Sequence, residues 1–149
     1  MKTIAIGSDP NASALKELLK KHLKELGFES EDYGSDDTVY ANVAIRVAEA
    51  VAAGKHDRGI LICGTGIGMS IAANKVPGAY AALVADAYSA ERARKSNNAN
   101  IMTLGAFTLG TELAKTLVRI WMQSEYTPGG GSEPKVQRIT AYDRQRGKS

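Results

Sequence analysis

The most informative segment of this chain is residues 58–68, which run Arg58-Gly59-Ile60-Leu61-Ile62-Cys63-Gly64-Thr65-Gly66-Ile67-Gly68. The first half is a continuous apolar run, which is typical of a strand that is covered on both faces of a sheet. The second half has a glycine at every other position, and Gly-rich clusters mark turns and loops. The segment therefore predicts a buried strand, a glycine loop and a helix start, in that order.

Strand-like and helix-like segments alternate outward from this point. Short apolar runs bounded by turn residues alternate with segments in which apolar residues recur at helical spacing. This order predicts one α/β domain over residues 1–149, a three-layer α/β/α sandwich with a five-stranded parallel sheet. A Pro/Gly hinge at 127–132 predicts a C-terminal helical arm over about 127–149, which we expect to pack on a partner subunit. The predicted strands are 3–7, 28–33, 58–63, 80–84 and 101–104, and the predicted helices are 14–26, 41–53, 69–75, 88–95, 111–124 and 134–146.

Composition and charge exclude several classes of protein. The chain of 149 residues has one cysteine, so an internal disulfide is impossible, and we expect a cytoplasmic protein. No apolar run approaches the ~18 residues that predict a membrane span, and the first residues lack the apolar core of a secretory signal. The net charge of +3 lies wholly in residues 119–149, because residues 1–118 carry 13 basic and 13 acidic residues. That basic segment has no nucleic-acid motif, so we expect neither nucleic acid nor a membrane as partner.

The loop Gly64-Thr65-Gly66-Ile67-Gly68 has the composition of an anion or oxyanion site. Alternating glycines allow backbone N–H groups to converge on one point, and a helix start adds its positive dipole. The alternative is a tight turn without a ligand. The spacing departs from the dinucleotide fingerprint, and no Walker-type ending follows, which argues against a nucleotide site.

Chemically competent side chains accompany this loop. Cys63 ends the strand directly before the glycines, where N–H groups favour a thiolate that could act as base or nucleophile; the alternative is an inert buried thiol. Asp9 ends the first strand and either contacts a ligand or caps the next helix. No Cys, His or carboxylate grouping has metal-ligand spacing, so we expect no metal. His22 and His56 are interpreted as peripheral and solvated.

Three stretches of the chain resemble the type B ribose-5-phosphate isomerases and the related galactose-6-phosphate isomerase subunits. The similarity covers residues 2 to about 140 and is most specific from Cys63 to Gly78. It implies a Rossmann-like fold, a homodimer or tetramer, no metal or other cofactor, and aldose–ketose interconversion through a cis-enediolate. The matching stretches are Ile4-Ala5-Ile6-Gly7-Ser8-Asp9, Gly59 to Gly78, and Tyr88-Ser89-Ala90-Glu91-Arg92-Ala93.

The resemblance also implies residue roles. Cys63 matches the catalytic base of the cysteine-using branch, and Thr65 matches a residue that assists ring opening or proton handling at oxygen. The N–H groups of residues 64–68, including those of Gly64, Gly66, Ile67 and Gly68, match the loop that stabilises the enediolate oxygen. Further positions match substrate contacts, namely Asp9, Tyr40 and Asn97.

Departures from the family pattern bear on the substrate. Pro10 stands where the family usually has histidine in the first loop, and Ser96 aligns with the ring-opening histidine. A tetrose phosphate cannot close a furanose ring through its phosphorylated end, so it needs no such group. The Ser-Asn-Asn-Ala sequence from Ser96 resembles that of tetrulose-phosphate isomerases, which makes D-erythrulose 4-phosphate a candidate substrate.

The phosphate-binding positions differ as well. Family arginines align with Phe107, Gly131 and Lys135, so one cation of three remains, and Arg138 is a nearby substitute. In the family these C-terminal residues reach the neighbouring subunit's site, which implies an active site shared between subunits.

Three hypotheses about function follow. The first is a metal-free isomerase of a short sugar phosphate, of the ribose 5-phosphate/ribulose 5-phosphate or D-erythrulose 4-phosphate type, with Cys63 as base. The second is an isomerase of unphosphorylated sugars, in which Phe107 is an apolar wall. The third is a sugar-phosphate-binding subunit without catalysis. We expect a homodimer or a tetramer made of two such dimers; substrate stereochemistry and physiological direction stay open.

Overall fold

The computed structural model describes residues 2–146, and it has the predicted α/β architecture. Five parallel strands form one sheet in the order β2-β1-β3-β5-β4. The strands are β1 (Ile4–Ser8), β2 (Ser30–Asp32), β3 (Gly59–Cys63), β4 (Ala81–Leu83) and β5 (Ile101–Gly105). The helices are α1 (Ser13–Glu25), α2 (Tyr40–Ala52), α3 (Ile67–Ala73), α4 (Ala87–Lys95), α5 (Thr111–Met122) and α6 (Glu133–Arg146).

Two apolar cores cover the two faces of the sheet. Successive strand residues point to opposite faces, so Ile60 and Ile62 pack with α1, α4 and α5, whereas Leu61 and Cys63 pack with α2 and α3. This arrangement explains why β3 is apolar at every position and confirms the three-layer sandwich.

The strand order changes direction between β1 and β3. From β1 the chain moves outward to β2 and then returns to the other side of β1 as β3. Ligands of open parallel sheets bind beyond the carboxyl ends of the strands at such a point. The backbone N–H of Asp9 donates to the carbonyl of Ile62 over 3.1 Å, which holds the ends of β1 and β3 together there.

Candidate active site

Cys63 lies at the carboxyl end of β3 with its sulfur directed at the glycine loop. The residue is 6% exposed and packs in the core formed with α2 and α3. Its Sγ accepts a hydrogen bond from the backbone N–H of Gly66 over 3.1 Å. The thiol is therefore placed against a backbone donor of the loop.

The loop after Cys63 owes its shape to backbone freedom at Gly66. This glycine has φ of +78°, in the left-handed region, and an added Cβ would lie 2.9 Å from the backbone of Leu104. The N–H of Ile67 donates to Thr65 Oγ1 over 3.2 Å, so the Thr65 side chain orders the start of α3. The next N–H groups of a helix's first turn have no acceptor within the helix and are available to a ligand.

Asp9 fills one of the two roles predicted for it, the cap of the turn that follows β1. Its carboxylate caps the 3₁₀ turn Pro10–Ala12 by accepting from the N–H of Ala12 over 3.0 Å. The capping role is therefore real. The bond from the Asp9 N–H to Ile62 also puts the residue next to Cys63, beside the loop.

Two aromatic residues border the loop. Tyr40 begins α2, and its ring is so close to Gly68 that a Cβ on this glycine would overlap it. Phe107 donates its N–H to the carbonyl of Gly64 over 2.9 Å, and its ring lies 2.9 Å from where a Gly64 Cβ would be. The Phe107 ring is 72% exposed, so it forms an apolar margin that is open to a ligand or partner.

These residues make up one cluster, which we name the carboxyl-edge group. It carries a single carboxylate, a single thiol and no lysine or arginine. Its members are Asp9, Pro10, Tyr40, Cys63, Gly64, Thr65, Gly66, Ile67, Gly68 and Phe107.

The remaining predicted site residues lie at the opposite edge of the sheet, and we name them the amino-edge group: Ser96, Asn97, Lys135 and Arg138. Ser96 and Asn97 follow the end of α4, close to where β5 begins. Asn97 and α6 together line a small cavity of about 30 Å³. A five-residue strand spans roughly 13 Å between its end Cα atoms, so β5 separates this group from Cys63 within one chain.

The prediction that His56 is solvated was wrong. His56 is 1% exposed, and its ring nitrogens contact Thr3 Oγ1 at 2.8 Å and Tyr33 Oη at 2.7 Å. These partners come from the amino end of β1 and the end of β2, and no local pattern could have shown them. His22 is half-buried and lies 3.0 Å from the Lys115 carbonyl. Both histidines are peripheral to the carboxyl-edge group.

Two negative findings hold within residues 2–146. No three His, Cys, Asp or Glu side chains are grouped so that they could hold a metal ion. None of the helices in that range has both the length and the apolar character needed to cross a membrane.

Comparison with known proteins gives consistent matches over nearly the whole chain. A family model described as ribose/galactose isomerase matches residues 4–139. The chain is 50% identical to D-erythrulose-4-phosphate isomerase of Pectobacterium atrosepticum, with 97% of each chain covered. It is 48% identical to ribose-5-P isomerase B of Listeria innocua, covering 95% of this chain and 97% of that protein.

A solved structure agrees. Ribose-5-phosphate isomerase B of Clostridium thermocellum superposes with a TM-score of 0.91 and 42% identity, over 98% of this chain and 99% of that one. Fold, family and enzyme class are thus as the sequence predicts: the chain belongs to the ribose/galactose isomerase family, and with it to the aldose–ketose isomerases.

Proposed function

We propose that this chain interconverts D-erythrulose 4-phosphate and the corresponding aldose phosphate, with Cys63 as the base. The observation that carries the proposal is the position of the Cys63 sulfur, which accepts a hydrogen bond from the Gly66 N–H at the start of the glycine loop. A base facing oriented N–H donors is the minimum machinery for enolisation.

The reaction moves one proton between adjacent carbons. The Cys63 thiolate removes a proton from C1 of the ketose, and the electron pair moves to form a cis-enediolate whose oxygen lies against the loop N–H groups. The same thiol then returns the proton to C2, which gives the aldose. Thr65 lies in the glycine loop, two residues before α3, where its hydroxyl can handle the proton that moves between the two oxygens.

The choice of a four-carbon substrate rests on the residues that would open a sugar ring. Ser96 and Pro10 have no side chain that can act as acid or base near neutral pH. A pentose phosphate that closes into a ring needs such a group, whereas a tetrose phosphate stays linear. The relative from Pectobacterium atrosepticum is named for D-erythrulose 4-phosphate, which supports this choice.

We further propose that the complete site forms between two copies of the chain. The carboxyl-edge group has no cation for a phosphate, while Lys135 and Arg138 are exposed on the other edge. Around the carboxyl-edge group, Ile67 and Ile71 are 51% and 59% exposed, which is unusual for isoleucine. A homodimer would cover these side chains and bring the amino-edge group of one subunit to the loop of the other.

The second candidate function is isomerisation of an unphosphorylated sugar. It is favoured by Phe107, whose apolar ring lies on the loop at Gly64. In that case Lys135 and Arg138 would make no contribution to substrate binding.

The test is a substrate panel with purified chain, measured as kcat/KM. The panel holds D-erythrulose 4-phosphate, D-ribose 5-phosphate, whose furanose ring must open before isomerisation, and unphosphorylated D-erythrulose. We expect the tetrulose phosphate to be preferred over both others. A matched Ser96→His variant should gain activity on the pentose phosphate relative to the tetrulose phosphate.

Each contrary outcome identifies its own alternative. Preference for the free ketose would overturn the phosphorylated substrate. Preference for ribose 5-phosphate would overturn the four-carbon assignment. A sugar phosphate that raises the melting temperature of the protein but is not turned over would support the non-catalytic subunit instead.

A further inference from the structure

A buried carboxylate of the C-terminal helix α6 joins this helix to the body of the same chain. Asp143 is 7% exposed and is the buried residue of α6. Its Oδ2 accepts hydrogen bonds from the Gly78 N–H and the Tyr80 hydroxyl, each over 2.7 Å. Its Oδ1 contacts Arg146 Nη2 at 2.6 Å. The three donors come from the body and from the helix itself, so the carboxylate joins the two.

The rest of α6 contributes little apolar packing. Ile139 is 51% exposed and Tyr142 is 62% exposed. A cleft of about 170 Å³ remains between the helix and the body next to Asp143. The segment Gly129-Gly130-Gly131, which precedes the helix, restrains it little, because glycines are the most flexible residues of a backbone.

Beside these carboxylate contacts, Arg146 Nη2 donates to the carbonyl of Asn74 over 3.2 Å, and Arg146 is itself paired with Asp143, so the carboxylate is central to where α6 lies. Burial by itself raises the pKa of Asp143, but the hydrogen bonds from Gly78, Tyr80 and Arg146 outweigh this effect and hold the pKa below its ordinary value. Removing a buried acceptor leaves its donors without a partner, and this destabilises the docked helix by more than the net contribution of the hydrogen bonds.

The docked helix brings the members of the amino-edge group together. Lys135 and Arg138 precede Asp143 on the same helix by about 12 and 8 Å at 1.5 Å per residue. Val136 and Ile139 line the same small cavity as Asn97. Fixing Asp143 at Gly78 and Tyr80 thus fixes the helix that carries both cations and packs near Asn97.

We propose that Asp143 is a positioning residue, which holds α6 so that Lys135 and Arg138 reach the substrate phosphate in the partner subunit's site. This inference rests on the proposed function. Asp143 itself touches no substrate and acts through the two cations.

The first experiment compares Asp143→Ala with wild type in steady-state kinetics. If the loss of the Asp143 carboxylate leaves α6 correctly placed in one molecule out of ten, KM rises about tenfold while kcat changes less than about twofold. The Ki of inorganic phosphate as a competitive inhibitor should rise in parallel. Asp143→Asn keeps an oxygen acceptor and should recover much of the loss, and Tyr80→Phe should give an intermediate effect. Glu49→Gln, which changes an exposed carboxylate on α2, is the matched control and should match wild type.

The second experiment repeats the comparison in a Lys135→Ala/Arg138→Ala background. If Asp143 acts through these cations, Asp143→Ala should have no further effect on KM or on the phosphate Ki there. A full additional effect in that background would overturn the proposal, and so would an equal loss of kcat in the single variant.

Hydrogen exchange separates failure of this inference from failure of the proposed function. Asp143→Ala should expose the amides of Glu133–Arg146 and leave those of the sheet protected. Unchanged exchange in α6 would overturn the positioning role even if the enzyme is active on the tetrulose phosphate. Wild type that turns over no sugar phosphate, yet whose phosphate binding weakens in Asp143→Ala, would overturn the proposed reaction alone.

Discussion

At the scale of single residues, the site is controlled by how closely side chains approach the glycine loop. Gly68 has no positive φ, so its importance lies in space alone: the Tyr40 ring occupies the position that a Cβ would take. The same is true of Gly64, against which Phe107 packs. Aromatic rings thus form two margins of the loop.

We predict that Gly68→Ala displaces Tyr40 and lowers kcat/KM by at least about tenfold, because a shift of about 1 Å at a catalytic site can cost as much as 10²-fold. The change lies at the protein surface, so the melting temperature should fall by only a few degrees. Gly110→Ala is the matched control, since nothing lies within 4 Å of the Cβ it adds. Equal activities of the two variants would show that Tyr40 is not held by Gly68.

At the scale of elements, a buried arginine anchors the end of α5. The Arg58 guanidinium donates to the carbonyls of Trp121 and Met122 at 3.0 Å and to that of Ser124 at 3.2 Å. These groups belong to the last turn of α5 and the residues after it, whose carbonyls lack partners within the helix. Burial, with neighbouring Arg58, also lowers the pKa of Arg94 to about 10.

We predict that Arg58→Met lowers the free energy of unfolding by roughly 2–3 kcal/mol, because the buried carbonyls at the end of α5 lose their donor. Removing the like charge beside Arg94 offsets this loss only in part. Arg119→Met, at an exposed position of α5, should change the free energy of unfolding by less than about 0.5 kcal/mol. Urea denaturation of both variants measures the difference. An Arg58→Met variant as stable as wild type would show that water replaces the guanidinium at no cost.

A second prediction at this scale concerns the stability of the fold at low pH. Burial by itself raises the pKa of Asp32, but hydrogen bonds from Lys20 and Lys16 of α1 outweigh it and lower the pKa to about 2 from 3.8. Since the folded protein binds this proton less tightly than the unfolded chain, the pairing stabilises the fold above about pH 4, and that stability is lost between about pH 4 and 2. Melting temperatures should therefore fall over this range, and less steeply in Asp32→Asn than in the exposed control Asp36→Asn. Parallel curves for the two variants would contradict the pairing.

Elements with a local signal were predictable, whereas contacts across elements were not. The apolar run of β3 and the glycines after it determine that strand and loop from neighbouring residues alone, and the structure confirms both. His56 sits beside Tyr33 and Thr3 because β1, β2 and β3 are adjacent, which no period in the sequence shows. Asp143 is one of three acids in the basic segment 119–149, and its partners Gly78 and Tyr80 lie more than 60 residues away.

At the scale of the whole molecule, the separation of the two groups determines what one subunit can do. Cys63 and the loop lie at one edge of the sheet, and Lys135 and Arg138 lie on a helix at the other. The sequence predicts these residues individually, and the length of β5 supports the proposal that they meet between two copies.

We therefore predict complementation between two defective variants, Cys63→Ala and Lys135→Ala/Arg138→Ala. In a mixed dimer, one site combines an intact loop with an intact arm, while the other carries both defects. Random pairing makes half of the dimers mixed, so activity should recover to about a quarter of wild type. Co-expressed variants with two different affinity tags allow the mixed dimer to be isolated and assayed. A mixed dimer no more active than its parents would place the whole site within one subunit.

The most direct test of Cys63 as the base is proton NMR of D-erythrulose 4-phosphate in D2O with wild type and Cys63→Ala. Wild type should form the aldose phosphate and replace a C1 proton of the ketose by deuterium. The variant should keep its melting temperature and lose at least about 10²-fold in both rates, because a positioned base contributes 10²–10⁴-fold. Exchange by Cys63→Ala within a few-fold of wild type would show that another group removes the proton.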